Sequence, residues 1–219
     1  SPFVLDQVDY ALKLGIEDIS FYTNATLLHK VDIERLLTLG IKRIGISVSP
    51  LRSDLYKYIY RSNLYPIVLK NLSNLLKTAK KIKSNTMISL EYRGNMSVKS
   101  SNSLPDFIEF CKPYLTEKVV FSVITVFDTW SGRIKSSDLL HGMQTIKKVN
   151  IAPILPCPRL WSIHVEPSGD VNLCGCRTNY EYDEESPLKV GNLNDSSLKQ
   201  ILKSTKISNI RESFIKGGI

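Results

Sequence analysis

The sequence predicts an α/β fold with parallel strands, closed as a barrel or opened as a doubly wound sheet, and three observations carry that reading. Amphipathic helical segments alternate with short apolar runs four times between Phe3 and Val126, the pattern of strands joined by helical crossovers. Residues 12–19 (LKLGIEDI) recur as residues 37–44 (LTLGIKRI), so one helix–glycine–strand unit is used twice. The run 119–124 (VVFSVI) is almost continuously apolar, as strands covered on both faces are.

Taken in order, residues 3–14 place Val4, Leu5, Val8, Ala11 and Leu12 on one helical face. Gly15 then supplies the left-handed residue that ends helices, and residues 19–22 make the first strand. Residues 31–39 and 43–48 repeat the unit around Gly40. A helix over 67–82 turns Leu72, Leu75, Leu76 and Ala79 inward, with Lys77, Lys80, Lys81 and Lys83 on its solvated side. A strand over 87–92, a helix over 104–111 carrying Cys111 beside Phe107 and Phe110 as a core residue, and a strand over 119–126 complete the series. Ligands in such folds sit at the carboxyl ends of the strands. Thr23 and Asn24, Ser47 and Ser49, Glu91 and Arg93, and Asp128, Thr129 and Trp130 all fall there. Any one of them could merely open a turn or cap a helix. Together they form a rim of hydroxyl, amide and charged groups suited to a polar ligand.

The 219 residues are 42% hydrophobic, which excludes wholesale disorder, and 29 Lys+Arg against 21 Asp+Glu give a formal charge of +8. No run approaches the ~18 apolar residues of a membrane span, and the start lacks a signal peptide's basic, apolar and small-residue series. The positive charge suits an anionic ligand or partner. Its lysines are scattered, however, and the densest group lies on one helix's outer face, so nucleic acid is not the expected partner. Four cysteines without a secretory signal point to the cytoplasm, where clustered thiols bind metal or do redox work more often than they form staples.

The pattern changes after Gly132. Residues 133–150 read as mixed helix and loop, and the Pro-rich run 151–158 places a domain boundary there, giving domains 1–150 and 151–219. Residues 161–165 and 171–174 read as the arms of a β-hairpin around the turn 166–170. Residues 189–193 form a further short strand, with Asn194 or Asp195 capping a helix through Leu202. Cys157 stands at the hairpin's entrance and Cys174 at its exit, with Cys176 close by. Thiolates grouped in this way suit an iron–sulfur cluster or another soft metal, zinc included. A fourth ligand could be His164, a water or substrate, or a cysteine beyond Ile219, although His164 by its strand position reads as a surface residue. Three free thiols in a core is the plainer alternative.

Cys157 followed by Gly169 and, five residues on, Cys174 resembles the opening signature of the SPASM/Twitch domain of radical S-adenosylmethionine enzymes. The stretch Val190-Gly191-Asn192-Leu193, Ser197-Leu198, Ile201, Arg211 and Gly217 is similar to that domain's downstream pattern. In the first part, residues 21–28 (FYTNATLL) are similar to the family's TNG strand end, residues 46–49 (ISVS) to its "iSiD", and residues 58–61 (YIYR) to its "Y..iR". The resemblance implies a partial (β/α)6 TIM-like barrel over 1–150 followed by an auxiliary-cluster domain over 151–219, with [4Fe–4S] clusters and S-adenosylmethionine as cofactors. By the same resemblance Thr23, Asn24, Ser47 and Ser49 line the cofactor rim. Cys157 and Cys174 ligate the auxiliary cluster, with Cys176 a substitute ligand or a bystander. Glu91, Arg93, Asp128 and Trp130 are the candidates for substrate contact. The implied partners are a peptide or protein substrate and an electron donor such as flavodoxin or ferredoxin, and the implied reaction is reductive cleavage of S-adenosylmethionine to a 5′-deoxyadenosyl radical.

The departures are specific. The CxxxCxxC loop that binds the cleaving cluster is absent, as is the GGE strand, and the remaining SPASM cysteines would follow Gly218. Ala25 stands where the family has Gly, and Ser49 where it has Asp. The sequence is therefore expected to be a fragment lacking the first barrel strands and the end of the auxiliary domain, inactive in radical chemistry by itself. Two other classes fit the same residues: a non-catalytic metal-binding α/β scaffold or binding module, and a zinc-binding protein without iron.

Overall fold

The computed structural model describes residues 3–48, 51–93, 103–124, 126–127, 134–139, 144–145, 158–174 and 186–216. The chain divides into two compact units, residues 1–127 with 136–145, and residues 128–135 with 146–219.

In the first unit, helices α1 (Val4–Lys13), α2 (Ile33–Thr38), α3 (Ser53–Tyr60), α4 (Tyr65–Ile82) and α5 (Leu104–Cys111) alternate with strands β1 (Ser20–Thr23), β2 (Arg43–Val48), β3 (Met87–Arg93) and β4 (Val119–Ile124). The four strands are parallel and lie in sequence order, β1-β2-β3-β4. The fold is thus mixed α/β on a parallel sheet, as expected. Both copies of the repeated octapeptide close their helices as read from the sequence, with Gly15 at φ +85 and Gly40 at φ +97, backbone values that a β-carbon would strain. α2 begins at Asp32, whose carboxylate accepts the Arg35 N–H at 3.0 Å, a side-chain cap on an otherwise unpaired helix-end donor.

Successive side chains of a strand point to opposite faces, and here the two faces differ sharply. Ile44, Ile46, Ile88, Leu90 and Tyr92 are fully buried on one face, in one core with Leu72, Leu75 and Leu76 of α4 and Phe107 of α5. The other face carries Arg43, Gly45 and Ser47 from β2, Met87, Ser89, Glu91 and Arg93 from β3, and Val120, Ser122 and Ile124 from β4. The sheet is therefore apolar on its helix side, while the other side mixes polar groups, densest on β2 and β3, with Met87, Val120 and Ile124, rather than being apolar throughout.

Three local expectations are corrected. α3 escaped the apolar periodicity because its buried residue is aromatic: Tyr56 is buried and its ring lies 4.6 Å from that of the exposed Tyr60 and 5.9 Å from that of Tyr65. α4 starts at Tyr65, before the expected position, because Pro66 in its first turn lacks only an N–H that would be unpaired there anyway. Within 133–150, Gln144–Thr145 (β6) pairs in parallel with Val126–Phe127 (β5), beside a short 3-10 turn at Ser136–Asp138.

The second unit is a three-stranded antiparallel sheet, β7 (His164–Val165), β8 (Asp170–Asn172) and β9 (Lys189–Asn192), followed by α6 (Leu198–Leu202) and α7 (Thr205–Ile215). Its small core is Val171, Leu173, Val190, Ile201 and Ile207. The hairpin's first arm is shorter than expected because Pro158–Trp161 coils as a 3-10 turn. The cap of α6 is Ser197, in a reciprocal capping box with Gln200, not Asn194 or Asp195. Asn194 instead donates its amide to the Ser168 carbonyl at 2.9 Å, tying the strand end to the hairpin turn. Gly191 is required by space: a β-carbon there would sit 2.9 Å from Ile201 Cγ1, so α6 packs directly on the β9 backbone. Among the described residues no helix is long and apolar enough to cross a membrane.

Candidate functional site

Strand register assembles one row of polar groups at the carboxyl end of the parallel sheet. Thr23 is the partner of Ile46, Ser47 of Glu91, and Glu91 of Ser122. Asn24, one residue past β1, therefore stands level with Ser47, and the row runs Asn24, Ser47, Glu91, Ser122 across four strands. Sequence reasoning missed Ser122. Its signal was available as the single polar residue inside the apolar run 119–124, exposed in the structure where its strand neighbours Phe121 and Val123 pack on the core.

Glu91 is only 8% exposed, and a carboxylate so placed needs a cation or donors to replace its lost water. Arg93, two residues on along the same face, supplies one: its Nη2 donates to Glu91 Oε2 at 3.2 Å. One row lower, Arg43 Nη2 donates to Ser89 Oγ at 3.2 Å, and the exposed Tyr22 ring lies against Gly45, filling the place of a β-carbon there. The result is a surface of hydroxyls, an ion pair and an aromatic ring, chemistry suited to a zwitterionic, hydroxyl-bearing molecule.

Thr23 and Asn24 also shape their own loop. Thr23 Oγ1 accepts the Ala25 N–H at 3.2 Å, and Asn24 Oδ1 accepts the N–H and the hydroxyl of Thr26 at 3.1 and 2.7 Å. Both residues therefore form the turn at the carboxyl end of β1; Asn24 also stands in the polar row, whereas Thr23, in register with Ile46, shares the face of that buried side chain.

In the second unit, His164 of β7 faces Asn172 of β8 across the antiparallel ladder. Cys174, two residues beyond Asn172, thus lies at the end of the hairpin where the chain arrives from the Pro158–Trp161 turn. Its thiol is free and half-buried, next to Leu173, which is fully buried. The arriving turn is held by α7: Arg211 Nε donates to the Leu160 carbonyl at 2.9 Å, and its guanidinium carbon lies 5.9 Å from the Trp161 ring centroid. At the far end, Asp170 receives Lys189 Nζ at 3.0 Å and Asn192 Nδ2 at 2.7 Å. The Lys189 and Asn192 bonds hold its carboxyl below the ordinary carboxylate value. A soft sulfur donor on a braced hairpin end, reached by a second braced turn, fits a thiolate-bound cluster.

Cys111, expected in the core, is there: fully buried on α5, with burial pushing its thiol up to about 12. It offers no thiolate for metal at neutral pH. In the folded, cluster-free protein Cys111 is expected to resist a thiol reagent at pH 8 that reaches the half-buried Cys174. The linkage sign follows from the raised value: below about pH 9 the thiol is neutral folded or unfolded, and between 9 and 12 only the unfolded chain ionises. Stability should therefore fall as pH climbs through that window, and the fall should vanish in Cys111→Ala. His164 is exposed, as its strand position suggested. Ser49, Asp128, Thr129, Trp130, Cys157 and Cys176 lie outside the described residues. Among the described residues no group of three or more His, Cys, Asp or Glu side chains could hold a metal ion.

A family model described as an iron–sulfur cluster-binding domain, SPASM, matches residues 157–217. The GTP 3′,8-cyclases of Clostridium botulinum strains Hall and Okra are each 32% identical over 119 residues, covering 52% of this chain and 35% of theirs. The chain therefore spans about one third of the length of the curated relatives it matches.

Proposed function

We propose that this chain, a radical S-adenosylmethionine relative with a SPASM-type iron–sulfur domain, belongs to an enzyme that reductively cleaves S-adenosylmethionine and uses the resulting radical on a peptide or protein. Iron–sulfur clusters and S-adenosylmethionine are the cofactors that the two matches imply. The observation that carries the reading is the SPASM match beginning at Cys157 and spanning Cys174, a free thiol at the open end of a braced hairpin.

In this reading the first unit is part of a (β/α)6 barrel, which the sequential order of its parallel strands supports, and the polar sheet face is its inner wall. Thr23, Asn24, Ser47 and Ser49 bind the cofactor's polar ends; Glu91, Arg93, Asp128 and Trp130 meet substrate. The fixed Glu91–Arg93 pair orients a zwitterion by offering one charge of each sign. Cys157 and Cys174 hold the auxiliary cluster, with Cys176 available as a further thiolate. When bound at its own cysteine loop, the reduced [4Fe–4S] cluster supplies the electron that splits S-adenosylmethionine into methionine and a 5′-deoxyadenosyl radical. The residues of this chain bind and orient the cofactor and exclude water around it. The electron donor is a flavodoxin or ferredoxin and the site of action the cytoplasm.

The relatives' named activity supports a second reading, in which the substrate is a purine nucleoside triphosphate. The +8 charge suits such an anion, whereas the SPASM-type domain favours a peptide. The test is anaerobic reconstitution of the full-length protein with iron and sulfide, reduction, and assay for 5′-deoxyadenosine with and without GTP. Deoxyadenosine formed without GTP dependence is expected. GTP-dependent turnover would select the nucleotide reading, and a colourless protein holding zinc would end both in favour of a zinc-binding scaffold.

A further inference from the structure

Asn71 lies on α4 and is 4% exposed, yet its side chain serves a loop in another part of the first unit. Its Nδ2 donates to the Ala25 carbonyl at 2.8 Å and to the Thr26 carbonyl at 3.3 Å, and sits 3.3 Å from His29 Nδ1. One buried amide therefore takes up two adjacent carbonyls of the loop that follows β1. The loop has reason to need it. Ala25 is fully buried at φ +62, a left-handed conformation that glycine adopts freely and that strains an alanine.

The held conformation has a chemical consequence at Asn24. Both bonds from Thr26 end on Asn24 Oδ1, so the amide is locked with its oxygen toward the loop. Asn24 is exposed, and its amide nitrogen donates to none of the described residues. The locked amide thus offers two N–H donors to whatever acceptor oxygen occupies the carboxyl end of the sheet.

We propose that Asn71 is the positioning residue of this loop: it holds Ala25 left-handed so that Asn24 presents its amide donors to a carboxylate or ribose oxygen of bound S-adenosylmethionine. The ligand half of the inference rests on the function proposed above; the hold on the loop does not. Alanine at 25 makes the clamp necessary, because the backbone would otherwise relax out of the left-handed region. The bonds from Asn71 to the loop join an amide to backbone carbonyls, so they hold the donors of Asn24 in place without adding a charged group to the loop's hold.

The test uses the full-length, anaerobically reconstituted protein in three variants: Asn71→Asp, which keeps the shape and turns both donor contacts into oppositions of oxygen against oxygen, Asn71→Ala, and Asn71→Ala combined with Ala25→Gly. Hydrogen exchange at Ala25 and Thr26 and calorimetric affinity for S-adenosylmethionine are read, with iron content and the cluster's spectrum as readouts that a general loss of structure would move. Loss of these bonds is expected to speed exchange at both amides and weaken affinity about tenfold, the scale of one net hydrogen bond. Iron and spectrum should stay unchanged, and the double variant should recover part of the affinity because glycine accepts the backbone without the clamp. Unchanged exchange in both single variants, or a double variant no better than Asn71→Ala, overturns the proposal. Should the single variants fail to fold, the double variant decides alone: native exchange and affinity support the clamp, and misfolding like the single variants overturns it. If exchange responds while the parent itself binds no S-adenosylmethionine, the cofactor reading falls and Asn71's hold on the loop stands.

Discussion

Cys174→Ala is expected to abolish the auxiliary cluster, lowering the iron bound after anaerobic reconstitution by roughly four atoms per chain and removing the matching part of the thiolate-to-iron absorbance. The expectation rests on place and on chemistry. Cys174 is a free, half-buried thiol at the open end of the hairpin, inside the SPASM match, two residues past Asn172, the last paired residue of the β7–β8 ladder. Alanine removes the sulfur and little else, because the neighbouring core is made by Val171 and Leu173, both fully buried. The fold of the second unit should survive with its cluster gone. Cys157→Ala is expected to give the same loss, and Cys176→Ala tells substitute ligand from bystander by whether iron falls. Cys111→Ala is the control: a buried thiol held neutral has no iron to lose. Iron equal to the parent's in Cys174→Ala would remove Cys174 from the ligand set and with it the anchor of the proposed function.

How much of this was legible from the chain depends on what each residue had to do. The aliphatic periodicity of residues 67–82 announced α4, and Leu72, Leu75, Leu76 and Ala79 are indeed its buried face. The repeated octapeptide announced two helix ends, because only glycine takes φ near +90 without strain, and Gly15 and Gly40 both do. α3 stayed hidden because its buried residue is a tyrosine, Tyr56, whose ring reads as amphipathic in any setting. The polar sheet face was legible only in part. Glu91 and Arg93 stood out as charges inside a strand, but Ser122 acquires meaning only once register sets it beside Glu91. Asn71 could not have been found at all: an asparagine on a helix reads as a solvated residue until the loop it clamps is folded onto it. Asn194 shows the opposite error, a plausible helix cap that the fold spends instead on the hairpin turn.

The apolar side of the same sheet yields the largest expected loss of stability. Phe107 on α5 is fully buried between two rings, 5.1 Å from that of Tyr92 and 5.6 Å edge-on to that of Phe121. Phe107→Ala removes the ring that packs against Tyr92 of β3 and Phe121 of β4 and leaves a void that the two cannot both fill. Such truncations cost about 3–5 kcal/mol, a large share of the roughly 5–15 kcal/mol that holds a domain folded. A fall in melting temperature of about 10 °C or more is expected by circular dichroism. Phe107→Leu, which keeps most of the volume, should cost about 1–1.5 kcal/mol. The consequence reaches the polar face because Tyr92 is the strand residue between Glu91 and Arg93. Its hydroxyl lies 3.2 Å from Ser103 Oγ and accepts the Ser103 N–H at 3.2 Å, pinning the start of α5 to the carboxyl end of β3. With Phe107 gone, Tyr92 loses its packing while keeping that bond, and the strand end that carries the Glu91–Arg93 pair gains freedom. Hydrogen exchange at Glu91 and Arg93 should therefore rise in Phe107→Ala and stay near the parent's in Phe107→Leu. Equal melting temperatures for Phe107→Ala and the parent would mean that the core does not depend on this ring, and that something other than α5 holds the end of β3 in place.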